Sequence, residues 1–354
     1  MKIAIDMTPL YNRKLTGVEN YGIELYQALI KTNADVYPIF RMENILDNNP
    51  NTIIIKESNR LLVDNLLLSK TVRSLNIKSV IFPIFPPPID IYWRKKYLVV
   101  TTIHDLAFKH FSSTLSLNAR IYIKPKLNLA LKHADKIITI SETVKKEIEK
   151  YTNKQVINWG ENISKKYLQT EDYIKEAFLS QWELQPDNYF LSVSTIEPRK
   201  NFKYLLQIFK EYRNIDHRIK LVLVGRKGWG KDKELNRLVT ELSNSIIFTN
   251  YISNEELMTL YHYSKAFFLL SLYEGFGRTP LEALACDARV FVSDIPIFRE
   301  TLKENVIYLP LNDIDNCIKI LNNYDFTSNK KKNIDIPFDI LDNNILKKFK
   351  DLID

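Results

Sequence analysis

With 354 residues, 45% of them hydrophobic and 26% charged, the chain is too long for one core and is not composed like a disordered segment. No apolar run reaches the roughly 18–20 residues of a membrane span, and the start, Met1-Lys2-Ile3-Ala4-Ile5-Asp6, reads as a strand rather than a leader, so a cytoplasmic location is expected. The formal net charge of +8 permits a nucleic acid, an anionic membrane or a phosphorylated substrate as partner, while Cys286 and Cys317, the two cysteines, have no metal-ligand spacing.

Short, largely β-branched runs at 2–6, 35–40, 52–55, 78–82, 97–103 and 136–140 alternate with helical segments that include 18–29, 60–75 and 143–150. Nearly continuous apolar strands of this kind belong to parallel sheets covered on both faces. The pattern repeats, with strands at 189–193, 220–224, 245–248, 266–270 and 289–292 and helices at 202–212, 232–242, 254–263, 280–286 and 315–321. Between the halves, 162–188 is polar and lacks a strong strand, which places a boundary near residue 170. The expected domains are 1–170 and 171–338, followed by a terminal helix, 339–354, free to cross back onto the first. The run Lys330-Lys331-Lys332 reads as a solvated loop. The fold class is α/β, two doubly wound domains. Open parallel sheets bind ligands beyond the carboxyl ends of their strands, so both domains are expected to present loops to a central cleft.

Several of those loops could carry chemistry. Leu15-Thr16-Gly17-Val18-Glu19-Asn20 is a glycine turn that could hold a phosphate or sugar on a helix N-terminus. It is not a GxGxxG fingerprint, which argues against a dinucleotide redox cofactor. His104-Asp105, at a strand end, could contact a polar ligand, although a lone His is more often structural. The segment 118–133 sets Arg120, Lys124, Lys126 and Lys132 among Ile, Leu and Tyr. It reads either as an ordinary amphipathic helix or as one resting on an anionic membrane surface.

In the second half, Thr195-Ile196-Glu197-Pro198-Arg199-Lys200-Asn201 closes a strand and opens a helix. Arg199 and Lys200 could grip a phosphate, Arg through paired donors and Lys as a point charge. Taken alone they are also a plain solvated pair. Asn201 is a candidate cap for the following helix. In Glu274-Gly275-Phe276-Gly277-Arg278-Thr279-Pro280-Leu281-Glu282, a glycine loop leads from a buried strand to a helix with Thr279 as expected N-cap and Pro280 at the first helical position. Unpaired N–H groups there form an anion site. Glu274 before the loop and Glu282 on the expected first turn could accept hydrogen bonds from vicinal hydroxyls. The bland alternative is a βα turn in which Glu282 favours the helix dipole. Asp313-Ile314-Asp315 spells DxD but precedes a helical segment, so capping explains it better.

Together these segments resemble the family 4 retaining glycosyltransferases, which have the GT-B fold of two Rossmann-like domains. The resemblance runs from Ile3 to about Leu321 and is carried by Thr195 to Asn201, Val224-Gly225 and, most specifically, the E-x7-E motif from Glu274 to Glu282; Gly17, His104-Asp105, Ser141-Glu142 and Trp159-Gly160 support it. It implies that Glu274 binds donor sugar hydroxyls, Glu282 the ribose, and Arg199 and Lys200 the diphosphate. It also implies that the backbone of Gly275, Phe276, Gly277, Arg278 and Thr279 meets sugar and phosphate, that His104 faces the donor sugar, and that Gly17 lies close to the phosphates. Glu197 counts among the donor-binding residues. The chain departs from the family in having Glu19-Asn20 after Gly17, Ser194-Thr195 where many members carry a cation, and Asn250 and Asp287 where Gly is usual.

The resemblance implies a nucleotide-sugar donor and a glycan or lipid-linked glycan acceptor, with surface polysaccharide biosynthesis as the expected setting. It implies no metal and no cofactor beyond the donor itself. Rival readings are a sugar-nucleotide epimerase or phosphorylase of similar fold and a non-catalytic partner. The intact Glu197, Arg199, Lys200, Glu274 and Glu282 speak against decay, and no recognition motif supports a nucleic-acid partner.

Overall fold

The computed structural model describes residues 2–11, 15–93, 95–111, 119–168, 174–225, 232–327 and 340–348. The chain divides into two compact units, residues 1–162 with 339–354, and residues 163–338. The division falls before the expected boundary near 170, because Tyr167, ahead of that boundary, is buried beside Glu282 of the second unit.

The first unit is a seven-stranded sheet of β1 (Lys2–Asp6), β2 (Asp35–Arg41), β3 (Ile53–Ile55), β4 (Ser79–Phe82), β5 (Leu98–Thr102), β6 (Lys136–Thr139) and β7 (Gln155–Asn158), ordered β3-β2-β1-β4-β5-β6-β7. Every pairing is parallel. The central strands are buried on both faces, as their apolar runs require. β7, which the sequence reading did not anticipate, is a short edge strand with polar ends.

In the second unit β8 (Tyr189–Val193), β9 (Lys220–Val224), β10 (Ile246–Asn250), β11 (Ala266–Leu269), β12 (Val290–Ser293) and β13 (Ile307–Leu309) are ordered β10-β9-β8-β11-β12-β13, again all parallel. Its core is aromatic: the Phe268 ring lies 4.7 Å from Phe190 and 5.1 Å from Phe291 between centroids. Such pairs add about 0.5–1.5 kcal/mol each beyond the area they bury.

Both sheets reverse direction once. The chain steps outward from β1 to β2 and β3, then returns to β4 on the other side of β1. It does the same from β8 through β10 to β11. The crevices at the carboxyl ends of β1/β4 and of β8/β11 are therefore the switch points where open α/β sheets take ligands.

The helix Ile340–Lys348 belongs to the first unit and buries Leu341 and Ile345 there. Asn162 holds its start with both ends of its amide: Oδ1 accepts from Leu341 N–H and Nδ2 donates to Asp342, each at 2.8 Å. Gly160 is required beside it. Its φ is +74°, and a Cβ there would meet Ile340 Cγ2 at 2.2 Å.

Candidate functional site

The loops after β8 and β11 meet at the switch point of the second unit. After β8 a tight turn, Pro198–Lys200, sets Lys200 N–H on the Glu197 carbonyl (2.9 Å) and ends at Asn201 in the left-handed region. Asn201 precedes the helix Phe202–Tyr212, but its side chain does not cap that helix, contrary to expectation, because the backbone itself makes the turn. The Arg199 carbonyl accepts from Leu272 N–H (2.8 Å), which ties this turn to the loop after β11.

Glu274 is the centre of the arrangement. Its side chain is 8% exposed and receives Arg199 Nη1 at 3.0 Å, Lys200 Nζ at 2.5 Å and the Ser271 hydroxyl at 2.7 Å. Arg199 also holds Glu197 through Nε (2.7 Å) and the Tyr273 carbonyl through Nη1 (3.3 Å). Ser271 is oriented in turn, since its carbonyl accepts from the Ser293 hydroxyl on β12 (2.5 Å). Burial alone pushes the Glu274 carboxyl up. The Lys200 and Arg199 charges, with the hydrogen bonds from Lys200 and Ser271, outweigh it and hold the carboxyl below its usual range. Arg199 and Lys200 are thus fixed cations rather than a solvated pair.

The helix after the loop begins two residues earlier than expected, at Arg278, and runs to Ala285. Its N-cap is Gly277, not Thr279, and no side chain caps it; Pro280 is its third residue and Glu282 lies on its second turn. Gly277 has φ +95°, and an added Cβ would lie 2.8 Å from Phe298 Cε1. Gly277→Ala is expected to cost about 1–3 kcal/mol of second-unit stability, measured by chemical denaturation; an unchanged midpoint would contradict the strained geometry. The Phe276 carbonyl is held by the Thr301 hydroxyl (3.1 Å).

Glu282 lies 4.0 Å from Arg278 Nε, with both side chains nearly buried. Buried Tyr167 and Tyr261 stand beside it, and burial followed by the Glu282 charge drives both phenols upward. Lys166 shares this surrounding, its ammonium pulled down by burial. The sequence reading missed Lys166 and Tyr167, which carry no local signal within a polar stretch. Asn250 and Asp287, the two departures from a usual Gly, have φ +58° and +61°. The left-handed backbone that Gly serves is therefore kept, by two residue types that tolerate it.

The remaining expected residues lie in the first unit. His104 follows β5, and its Nε2 is 2.9 Å from the Pro83 carbonyl. A carbonyl can only accept, so Nε2 carries the proton. The Tyr21 ring meets the imidazole edge-on at 4.8 Å. Gly17 is the first residue of the helix Gly17–Ile30. The Glu19 carboxylate closes a capping box with Thr16, accepting from Thr16 N–H at 3.1 Å and from its hydroxyl. That helix end thus already carries a carboxylate. Asp313 caps the helix Ile314–Asn323, accepting from Asn316 N–H (2.9 Å), as expected of the DxD stretch.

Of the segment 118–133, Lys124–His133 is helical, and Lys126, expected on a basic surface, is instead 4% exposed. Residue 118 and the Arg120 side chain lie outside the described residues, as does the run Lys330-Lys331-Lys332. Among the described residues, no helix is long and apolar enough to cross a membrane, and no group of three or more His, Cys, Asp or Glu could hold a metal.

Residues 174–324 match the family model for glycosyl transferases group 1. The O-antigen chain mannosyltransferase RfbU of Salmonella typhimurium is 29% identical over 214 residues, 60% of this chain and 56% of that protein. The match thus spans little more than half of that relative. The O-antigen chain mannosyltransferase B of Escherichia coli is 27% identical over 340 residues, 89% of this chain and 88% of the other. Among solved structures, Anabaena HepE in complex with UDP and glucose superposes with a TM-score of 0.71 at 16% identity, covering 99% of this chain and all of that one. Sucrose-phosphate synthase from Thermosynechococcus elongatus gives 0.70 at 17%, covering 100% and 95%. At these identities the two structures speak for the fold alone.

Proposed function

We propose that the chain is a glycosyltransferase of GT-B fold, as the match over residues 174–324 and the mannosyltransferase relatives support, and that it moves a hexose from a nucleotide-sugar donor, with retention at the anomeric carbon, to a glycan or lipid-linked glycan in surface polysaccharide biosynthesis. The observation that carries this reading is Glu274 held between Arg199 and Lys200 at the β8/β11 switch point. The O-antigen mannosyltransferase relatives support the setting and make mannose the first donor sugar to test.

The proposed chemistry follows from charge. Breaking the anomeric C–O bond leaves a nucleoside diphosphate of growing negative charge. Arg199, Lys200 and the helix beginning at Arg278 supply fixed positive potential there. Glu274 accepts hydrogen bonds from sugar hydroxyls and keeps the two cations in place before the donor arrives. Glu282 takes the ribose, and the backbone from Gly275 to Thr279, with Phe276, lines the donor. His104 and Gly17 are assigned to donor binding on the family resemblance alone. Acceptor attack occurs on the face the diphosphate leaves, and the phosphate receives the acceptor proton. No resident metal takes part. Peripheral contact with an anionic membrane stays part of the proposal, resting on Lys124 and Lys132 now that Lys126 is buried.

A thermal-shift screen of GDP-mannose, UDP-glucose, dTDP- and ADP-sugars, run in EDTA, tests the donor. One nucleotide sugar should raise the melting temperature, by about 2.7 kcal/mol of stabilisation at a hundredfold excess over Kd. A flat response to all of them, or binding seen only after Mg²⁺ or Mn²⁺ is restored, would count against the reading.

A further inference from the structure

Arg199 and Lys200 are matched by Glu197 and Glu274, so the donor chemistry does not account for a net charge of +8. Part of the excess gathers in a recess of about 520 Å³ on the first unit, where Lys109, Lys132, Lys150 and Lys154 meet one carboxylate, Glu149. None of the four lysines has a carboxylate at ion-pair distance among the described residues, and the nearby Glu147 is taken by His110.

The walls of the recess are joined to one another. They come from the helices Ala107–His110 and Lys124–His133 and from residues 149–154, which link the helix Glu142–Ile148 to β7. The Thr152 hydroxyl donates to the Leu131 carbonyl (2.6 Å), and Lys109 Nζ lies 4.3 Å from the centre of the Tyr151 ring. Lysines near helix ends ordinarily serve the exposed carbonyls of the last turn. Here those carbonyls have other donors: Glu147 accepts from Lys150 N–H (3.2 Å), Ile148 from Tyr151 N–H (2.8 Å) and Leu131 from Thr152. The ammonium groups are left for something else. The helix Lys124–His133 and the loop 149–154 lead into the amino ends of β6 and β7. Both switch points lie at carboxyl ends, so the recess is a separate place.

We propose that this recess binds a soluble small molecule carrying two or more phosphate charges, as a ligand that takes no part in sugar transfer. Four lysines against one glutamate leave three positive charges in excess, and a concave wall of one sign focuses its field on an anion. Ammonium groups act as point charges that suit phosphate oxygens without demanding the planar geometry of a guanidinium partner. The volume falls within the roughly 300–1,000 Å³ of small-molecule sites. It exceeds what one phosphate fills, and Tyr151, 45% exposed, with the amides of Asn128 and Asn153, lines the remainder. Among these lining residues Tyr151 is the single large exposed hydrophobic, so the recess has little to insert among acyl chains and favours a dissolved ligand over a membrane.

The test is calorimetry of the full chain with inorganic pyrophosphate, in wild type, Lys150→Gln/Lys154→Gln and Lys200→Ala. The two loop lysines are exposed, and melting curves confirm that the variants fold. Binding should persist in Lys200→Ala and weaken at least about tenfold in the loop variant, the scale of one lost charge-assisted hydrogen bond. It should also fade as salt rises from about 0.05 to 0.3 M, as contacts between exposed charges do. Absence of binding in wild type overturns the site. So does a binding event lost in Lys200→Ala and kept in the loop variant, which would belong to the donor crevice. Sedimentation with vesicles of phosphatidylglycerol and phosphatidylcholine separates the lipid source: the loop variant should behave as wild type, and loss of vesicle binding in it overturns the soluble class. Lys124 and Lys132, which carry the membrane reading, are unaltered in every variant. Failure of the nucleotide-sugar screen would sink the transferase reading and leave this site standing.

Discussion

Lys200→Ala should slow sugar transfer by roughly 100-fold or more, the scale for losing one preorganised charge at a site where charge develops. The Lys200 side chain is only 12% exposed and shares Glu274 with Arg199, so its ammonium is neither screened nor replaceable by a surface neighbour. Its removal also leaves the buried carboxylate with one cation and the Ser271 hydroxyl, and the Glu274 carboxyl should then move upward. Lys210→Ala is the matched control. It removes the same charge from a pair with Glu241 in which both side chains are 41% exposed, and turnover should not change. Steady-state rates with the donor found by the nucleotide screen decide the matter. Near-normal turnover in a folded Lys200→Ala enzyme would remove Lys200 from the proposed mechanism.

Asp6→Asn should make the protein more stable at alkaline pH. In the folded chain the Asp6 carboxyl is raised from 3.8 to about 7, mainly by burial. Between those values the unfolded chain has released the proton while the folded chain still holds it, so stability falls as pH rises. The rise of about 3 units corresponds to at most about 4 kcal/mol, lost in full only above pH 7. Asn cannot ionise and keeps an oxygen to accept from Thr8 N–H and the Thr8 hydroxyl, as Asp6 Oδ1 does at 3.0 and 2.7 Å. Melting curves should nearly coincide at pH 4 and separate steadily toward pH 8, by about 2–4 °C per kcal/mol for a unit of this size. A gap independent of pH would show that Asp6 is not held protonated.

The strands were legible because a doubly covered strand needs an uninterrupted apolar run, as in Ile3 to Ile5 or Leu221 to Val224. Edges were less so: β7 and β13 are only four and three residues long, and β13 is half-buried at two of three positions, so neither produces such a run. Glu274, Arg199 and Lys200 could be read as functional from their loops, but their shared ion pair joins residues 74 and 75 positions apart, which no local pattern encodes. Thr279 was misplaced as a cap because threonine ordinarily serves that role, whereas here Gly277, in the left-handed region, starts the helix. Lys126 was read as surface because helical periodicity gives a face but not its partner, and that partner, Tyr122, is hydrogen-bonded to Asp64, 58 residues away in sequence.

The return of the helix Ile340–Lys348 to the first unit bears on how the chain is built during synthesis. Asn162 is made early, but the backbone it clamps, at Leu341 and Asp342, is not made until after the whole second unit. At ribosomal speeds of about 5–20 residues per second, that interval is roughly 10–40 s. Throughout it the surface that will cover Leu341 and Ile345 stands open, while the second unit, one unbroken stretch of chain, can finish folding first. The nascent protein thus completes its parts in the reverse of the order in which they begin.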